Sequence, residues 1–85
     1  MDDIETTLRN YITRNILFSD GEYPYADDAS FLETGVVDSL GVMELVMFVE
    51  ERFGVDVEDR EVVPANFDSV SRLSAYIRGK ATPRA

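Results

Sequence analysis

Two Asp–Ser pairs are the residues whose types and positions are most suited to chemistry. Asp38 and Ser39 open the segment DSLGVMELV, and Asp68 and Ser69 open DSVSRLSAYI. A serine hydroxyl is a weak nucleophile without an adjacent base. The chain has no histidine and no cysteine, so a catalytic triad or a thiolate nucleophile is excluded. Chemistry at either serine would therefore be done by another enzyme.

Ser39 has two interpretations that the sequence leaves open. Serine is a common N-cap residue, and Ser39 stands at the start of a helical pattern. A phosphate ester also suits this position, because backbone N–H groups and the helix dipole stabilise an anion there. Gly35 lets the chain turn before the pair, and Gly41 is expected to leave the first turn open to an approaching enzyme. Ser69 is interpreted as an N-cap only, since Arg72 and Arg78 follow it.

Length and charge limit the possible functions. The chain has 85 residues and a formal net charge of −9, which predicts one small domain and disfavours nucleic acid and anionic membranes as partners. The acidic N-terminus is no signal peptide, and no apolar run is long enough to cross a bilayer, so we expect a cytoplasmic protein. No metal site is expected. The pair Asp27–Asp28 is expected to solvate a loop rather than to catalyse a reaction.

Apolar residues at helical spacing predict three main helices. The first covers residues 2–18, with Asp2 and Asp3 at its N-terminus, where negative charge is favourable. The second covers residues 39–53 and is followed by Gly54 as a C-cap. The third covers residues 69–79 and ends at Gly79. The inward positions are expected to be Ile4, Leu8, Tyr11, Ile12, Ile16, Val42, Leu45, Val46, Val49, Phe53, Val70, Leu73, Tyr76 and Ile77.

The connections complete the predicted fold. Residues 19–38 are expected to form a long loop that Phe31, Leu32, Val36 and Val37 pin to the core. One short helical turn is predicted near residues 58–62, ended by Pro64. The fold class is therefore all-α, a small four-helix bundle of three main helices plus one short helix. The domain is expected to span residues 1–80, with residues 81–85 as a frayed tail.

The second helix has an outer face that its core does not explain. Leu40, Met43, Glu44, Met47 and Glu51 share that face at i, i+3 and i+4 spacing. Scattered exposed hydrophobic residues are common in all proteins. Methionine, however, adapts to several partners, and the carboxylates would attract basic ones. The pattern therefore favours a partner-binding surface.

The segment GVVDSLGVMELVMFVEERFGVDV resembles the core of acyl carrier proteins. The resemblance extends over nearly the whole chain, from the first helix through DDASFLETG to the last helix. It implies a free-standing, monomeric carrier rather than an enzyme. Such a carrier holds acyl groups as thioesters on a 4'-phosphopantetheine arm derived from coenzyme A. It also explains how a chain without cysteine can carry thioesters.

The resemblance assigns roles by position. Ser39 is implied to be the attachment site, and Asp38 the acidic residue used by the transferase or its metal. The implied partners are a phosphopantetheinyl transferase, an acyl- or aminoacyl-activating ligase, and synthase or acyltransferase enzymes. The partner surface would comprise Leu40, Met43, Glu44, Met47, Glu50, Glu51, Asp56, Glu58 and Asp59. Phe31, Leu45 and Val46 are expected to line a site for aliphatic cargo.

Several residues differ from the common fatty-acid pattern. Gly41 replaces a frequent acidic residue, Arg52 interrupts the acidic run, and Val36–Val37 replace smaller residues. The string GVVDSLG is similar to aminoacyl carriers, whereas MELVMFVEERFGVDV is more like fatty-acid and polyketide carriers. Cargo, pathway and cognate enzymes therefore stay open, with an aminoacyl carrier as the first alternative. A small acidic interaction module, in which Ser39 is only a cap, is the second.

Overall fold

The computed structural model describes residues 3–81, without the side chains of Ser39 and Ala81. The described chain is all-helical, which confirms the predicted fold class. A one-turn 3₁₀ helix, Asp59–Glu61, lies between the third and fourth α-helices. The α-helices are α1 (Ile4–Asn15), α2 (Phe31–Thr34), α3 (Ser39–Phe53), α4 (Pro64–Phe67) and α5 (Val70–Ala81).

Helix α1 begins after Asp3, whose Oδ1 accepts a hydrogen bond from the Thr6 N–H at 2.7 Å. This confirms the predicted acidic N-terminus at Asp3, whereas Asp2 lies outside the described residues. Leu8 and Ile12 are completely buried, one turn apart on the same face.

Residues 19–38 differ from the predicted loop because they include α2. Ser30 caps this turn by accepting a hydrogen bond from the Glu33 N–H, and Gly35 ends it with φ of 74°. Phe31 is buried, but Leu32 is 64% exposed, so the prediction that Leu32 pins the loop is wrong. Successive residues of a helix point about 100° apart, and in this single turn Phe31 faces the core whereas Leu32 faces outward.

Helix α3 has the predicted bounds. Gly54 follows as its C-cap with φ of 67°, a conformation that glycine adopts without a steric penalty. Leu45, Val46 and Val49 are buried, which confirms the predicted core-facing stripe. The rest of that stripe, Val42 and Phe53, is partly buried against the same core.

The chain after α3 corrects two predictions. Pro64 does not end a helical turn but is the first residue of α4, where its fixed φ and missing N–H are compatible with a helix start. Gly79 does not end the last helix, since α5 continues to Ala81. Arg78 and Lys80 flank this glycine and form ion pairs with Glu5 and Glu61, which hold the last turn in place.

Helix α5 packs against α1, α3 and α4 and contributes Val70, Leu73 and Ile77 to the core, as predicted. The short turn predicted near residues 58–62 is present as the 3₁₀ helix Asp59–Glu61, and α2 and α4 are two further short helices that were not predicted. The predicted tail begins at Ala81, which is still helical, and residues 82–85 lie outside the described chain. No helix within residues 3–81 is long and apolar enough to span a membrane.

Candidate functional site

The first Asp–Ser pair lies at the start of the longest helix. Asp38 is the N-cap of α3, and its Oδ1 accepts a hydrogen bond from the Gly41 N–H at 2.8 Å. The Val42 N–H donates to the Asp38 carbonyl at 2.9 Å. Ser39 is therefore the first residue inside the helix, and the N-cap residue is Asp38. This placement leaves the Ser39 position without the capping role that the sequence allowed.

Gly41 has a different structural role from the one expected. Its backbone is buried, and a Cβ added there would lie 3.0 Å from Cγ1 of Val37. Val37 is itself 2% exposed, so it has little room to move. The missing side chain lets the first turn of α3 pack closely on Val37. It does not leave that turn open to an enzyme.

The outer face of α3 is exposed as predicted. Leu40, Met43 and Met47 are 78%, 57% and 61% exposed, and they follow one another at i, i+3 and i+7. Glu44 and Glu51 are also exposed. Apolar side chains of this size on one helix face form a patch rather than isolated exceptions.

The remaining acidic residues of the predicted surface are less uniform. Glu50 is half-buried, and its Oε2 accepts a hydrogen bond from the Val57 N–H at 3.1 Å, so it holds the chain that follows α3. Glu58 forms an ion pair with Arg60 at 3.1 Å and a capping box with Glu61. Asp56 and Asp59 are exposed. Sequence periodicity could not show these pairings, because they depend on the loop conformation.

An apolar cleft of about 110 Å³ opens beside the start of α3. Val37 and Val42 form its wall next to Ser39, and α2, α4 and the chain before α4 form the rest. Of the predicted lining residues, only Phe31 contacts the cleft. Leu45 and Val46 lie in the core and do not line this cleft, so their part in sheltering cargo stays a prediction. The lining consists of Phe31, Leu32, Val37, Val42, Val62, Val63, Pro64, Phe67 and Asp68.

One side of this cleft is fixed by Asp68. Its carboxylate accepts hydrogen bonds from the Ser30 hydroxyl at 2.5 Å and from the Leu32 N–H at 3.1 Å. Its carbonyl accepts the Phe31 N–H at 2.6 Å. Asp68 therefore fastens α2 to the junction of α4 and α5, a function that sequence reasoning missed. A 38-residue separation between Ser30 and Asp68 gives no local signal of this contact.

Ser69 confirms its predicted role. Its Oγ accepts a hydrogen bond from the Arg72 N–H at 3.0 Å, and its carbonyl accepts the Leu73 N–H at 2.9 Å. The side chain is 2% exposed. Ser69 is thus a buried N-cap of α5.

Comparison with known proteins agrees with this geometry. A model of the phosphopantetheine attachment site family matches residues 20–77, a range that contains both Asp–Ser pairs. The chain is 35% identical over 82 residues to the probable acyl carrier protein PigG of Serratia sp. (strain ATCC 39006), covering 94% of this chain and 92% of that protein.

Members of this family carry a covalently attached 4'-phosphopantetheine. They are carriers rather than enzymes, and they interact with a phosphopantetheinyl transferase and with synthases. A cysteine-free chain with no histidine is consistent with such a role, because the group supplies its own thiol. The chain belongs to the phosphopantetheine-binding family of acyl carrier proteins.

Proposed function

We propose that Ser39 carries the phosphopantetheine arm and that the chain delivers acyl thioesters to fatty-acid, polyketide or related biosynthetic enzymes. The observation that carries this proposal is the register of α3. Asp38 caps the helix, so Ser39 lies inside its first turn, next to the exposed Leu40. A transferase can approach such a position, and a phosphate ester there lies at the positive end of the helix dipole.

The burial of two other serines, Ser69 and Ser74, supports the same choice. Ser69 and Ser74 are 2% and 1% exposed, so a transferase cannot reach either hydroxyl without local unfolding. Ser30 caps α2 and donates to Asp68. Ser71 is exposed near the start of α5, which makes it a suitable control for Ser39.

The residues near Ser39 fit the arm and a small cargo. The cleft begins at Val37 and Val42, within one helical turn of Ser39 in sequence, and it is lined almost wholly by apolar side chains. When bound, the arm supplies the thiol on which the acyl group is carried. Val37 and Val42 would then contact the apolar part of the arm or of its cargo and exclude water from it.

The size and polarity of the cleft favour a compact aliphatic cargo. An apolar cavity of roughly 150 Å³ accepts a benzene-sized ligand, so a cleft of about 110 Å³ suits a short acyl group. An aminoacyl group would bring a charged ammonium. The charged lining residue, Asp68, already accepts hydrogen bonds from Ser30 and Leu32. The otherwise apolar lining favours the acyl carrier over the aminoacyl alternative.

The partner surface is proposed to be the outer face of α3. Leu40, Met43 and Met47 provide exposed apolar area, and Glu44 and Glu51 provide negative charge beside it. A transferase, an activating ligase and synthase or acyltransferase enzymes would bind here in turn. Asp38, Glu50, Asp56, Glu58 and Asp59 would extend the acidic area, with Glu50 also supporting the fold.

Intact mass tests the attachment site. Wild type, Ser39→Ala and Ser71→Ala would each be incubated with a broad-specificity phosphopantetheinyl transferase, magnesium and coenzyme A. One added phosphopantetheine on wild type and Ser71→Ala, and none on Ser39→Ala, is the expected result. Addition to Ser39→Ala, or failure on wild type while a known carrier is modified in the same tube, would contradict the proposal.

Chemical shifts test the cargo. Loading the arm with a butyryl group should shift the amide signals of Val42, Val62 and Phe67 relative to the unloaded arm, because these residues line the cleft. Loading with alanine should leave them near their unloaded positions. The reverse pattern would favour the aminoacyl carrier.

A further inference from the structure

A second groove lies on the side of α3 that faces α1. It has a volume of about 210 Å³ and is lined by Tyr11, Glu44, Met47, Phe48 and Glu51. Tyr11 comes from α1, and the other four residues come from α3. The groove adjoins the outer face of α3 through Met47 and both glutamates, but it lies apart from the cleft beside Ser39, with which it shares no lining residue.

The base of this groove is a stacked aromatic pair. The rings of Tyr11 and Phe48 lie 3.9 Å apart between centroids, with 15° between their planes. Both side chains are only partly buried, so the pair is not enclosed in the core. Aromatic faces carry negative electrostatic potential and attract cations.

Two carboxylates add to that potential. Glu44 and Glu51 are exposed, and neither forms an ion pair within residues 3–81. Partial burial raises the pKa of Tyr11, and the nearby charges of Glu44 and Glu51 raise it further. Both carboxylates line the same groove as the aromatic pair.

A neighbouring cation–π contact shows that an aromatic ring on α3 can bind a guanidinium. Phe48 meets Phe53 edge to face, with centroids 6.2 Å apart, and the Arg52 guanidinium lies 5.7 Å from the Phe53 centroid. One end of the aromatic row is thus occupied by the chain's own guanidinium. The Tyr11 end combines an aromatic pair, two carboxylates and the exposed thioether of Met47.

We propose that this aromatic–carboxylate groove binds an arginine side chain of a basic partner protein, so that partner recognition extends from α3 onto α1 through Tyr11. The inference rests on the proposed partner surface and adds Tyr11 and Phe48 as specificity-determining residues. A guanidinium is planar, so it stacks on an aromatic ring while its N–H groups donate to the two carboxylates. A lysine ammonium lacks that plane and fits less well. The net charge of −9 favours a basic partner in general. The aromatic pair beside two carboxylates favours arginine over lysine within such a partner.

Chemical-shift titration with defined peptides tests the groove. The probe is an acetylated amphipathic peptide with two leucines and one arginine, added to the ¹⁵N-labelled protein. Matched peptides replace the arginine with lysine or with citrulline, which has the same shape without the charge. Saturable shifts at Tyr11, Phe48 and Glu51 are expected with arginine, weaker ones with lysine and none with citrulline. Equal shifts with citrulline would overturn the proposal.

Variants separate the aromatic and acidic contributions. Tyr11→Leu should weaken binding of the arginine peptide by about 2- to 5-fold, the range of an exposed cation–π contact, whereas Tyr11→Phe should bind like wild type. The double variant E44Q/E51Q should weaken binding further, while D20N/E22Q removes the same charge from an exposed loop and should not. Unfolding curves show whether Tyr11→Leu is folded. Wild-type affinity of folded Tyr11→Leu, or equal weakening by both double variants, would contradict the arginine site.

The arm on Ser39 provides the control for the underlying proposal. The intact mass of each sample would be measured by mass spectrometry before and after transferase treatment. A protein that carries the arm but shows no arginine-dependent shifts would disprove the groove and keep the carrier assignment. A protein that shows the shifts but is not modified at Ser39 would support the groove and contradict Ser39 as the attachment site.

Discussion

The two Asp–Ser pairs have the same residues but opposite roles. In the first pair, Asp38 caps α3 and Ser39 is inside the helix. In the second pair, Ser69 caps α5, and Asp68 stands before the cap and bonds to α2. The two pairs differ by one residue in their position relative to the helix start, so the aspartate caps the first helix and the serine caps the second.

The difference bears on the proposal that Ser39, and not Ser69, is modified. Asp68 and Ser69 each have specific hydrogen-bond partners, and Ser69 is 2% exposed. At the first pair, Asp38 provides the N-cap of α3 through its bond from the Gly41 N–H. The proposed modification of Ser39 would leave that cap bond in place.

The same contrast extends along the two helices. Three polar residues of α5 are paired with other elements: Arg78 with Glu5 at 2.6 Å, and Tyr76 and Lys80 with Glu61 at 2.9 and 3.0 Å. The outer face of α3 instead leaves Leu40, Met43 and Met47 exposed. The side chains of α5 thus contact other parts of the fold, whereas the outer face of α3 leaves apolar side chains exposed to solvent.

Replacing the two aspartates should separate the pairs most strongly. Asp68→Ala removes the acceptor of two hydrogen bonds that hold α2 and should lower the free energy of unfolding by about 3 kcal/mol. Asp38→Ala removes one N-cap bond and should cost about 1 kcal/mol. Urea unfolding of both variants measures the difference. Equal losses would mean that Asp68 is not the stronger anchor.

Low pH should weaken the contacts that Tyr76 and Lys80 of α5 make with Glu61. The Glu58 N–H, then Lys80 and Tyr76, lower the pKa of Glu61 to about 2 from its ordinary value of 4.5. Because the folded-state pKa is the lower one, this group stabilises the fold above pH 4.5, and that contribution is lost as the pH falls toward 2. Glu61→Gln should therefore flatten the fall in stability over this window.

The pH dependence has its own control. Tyr76→Phe removes one of the donors to Glu61, so its stability between pH 4.5 and 2 should fall less steeply than that of wild type but more steeply than that of Glu61→Gln. Thermal unfolding at several pH values measures the three slopes. Identical slopes for wild type and Glu61→Gln would show that these contacts do not form in solution.

Replacing the two serines should affect stability in the opposite order from the proposed modification: Ser69 should matter for the fold, and Ser39 for the arm. Ser69→Ala removes the N-cap of α5 and should cost about 1 kcal/mol of unfolding free energy. Ser39→Ala should stay within about 0.5 kcal/mol of wild type, because Asp38 keeps its cap bond. Urea unfolding of both variants, each without the arm, provides the measurement. A larger loss for Ser39→Ala would show that Ser39 takes part in the cap after all.

The smallest effect on stability is expected on the outer face of α3. Met43→Ala should change the unfolding free energy by no more than about 0.5 kcal/mol, since the side chain is 57% exposed. The same variant should lower kcat/KM for the transferase if this face binds partners. Leu73→Ala, which truncates a fully buried side chain, is the comparison for stability and should cost about 3 kcal/mol. Unchanged transferase kinetics in Met43→Ala would remove Met43 from the proposed surface.

Local patterns predicted the three main helices and the bounds of α3, although α1 ends at Asn15 rather than at the predicted Phe18 and α5 passes the predicted end at Gly79. The spacing of Leu45, Val46 and Val49 gave the core side of α3, and Gly54 gave its end, because both signals act within one or two turns. The short helices were harder to predict. Helix α2 depends on hydrogen bonds from Ser30 and Leu32 to Asp68, which is distant in sequence.

The site shows the same division. The position of Ser39 at a helix start and the exposure of Met43 and Met47 could be predicted from sequence. The choice of Asp38 over Ser39 as the cap could not, because both residue types cap helices. The cleft beside the start of α3 could not be predicted either, since Val62 and Val63 reach it only through the conformation of the chain before α4.

Fragmentation of the modified wild-type protein is the most direct test of the assignment of Ser39. The protein would be treated with transferase and coenzyme A, weighed intact, and fragmented in the mass spectrometer without prior digestion. The account predicts that the phosphopantetheine mass appears on every fragment that contains Ser39 and on none from residues 60–85 alone. The added mass on a fragment that contains Ser69 but not Ser39 would contradict it.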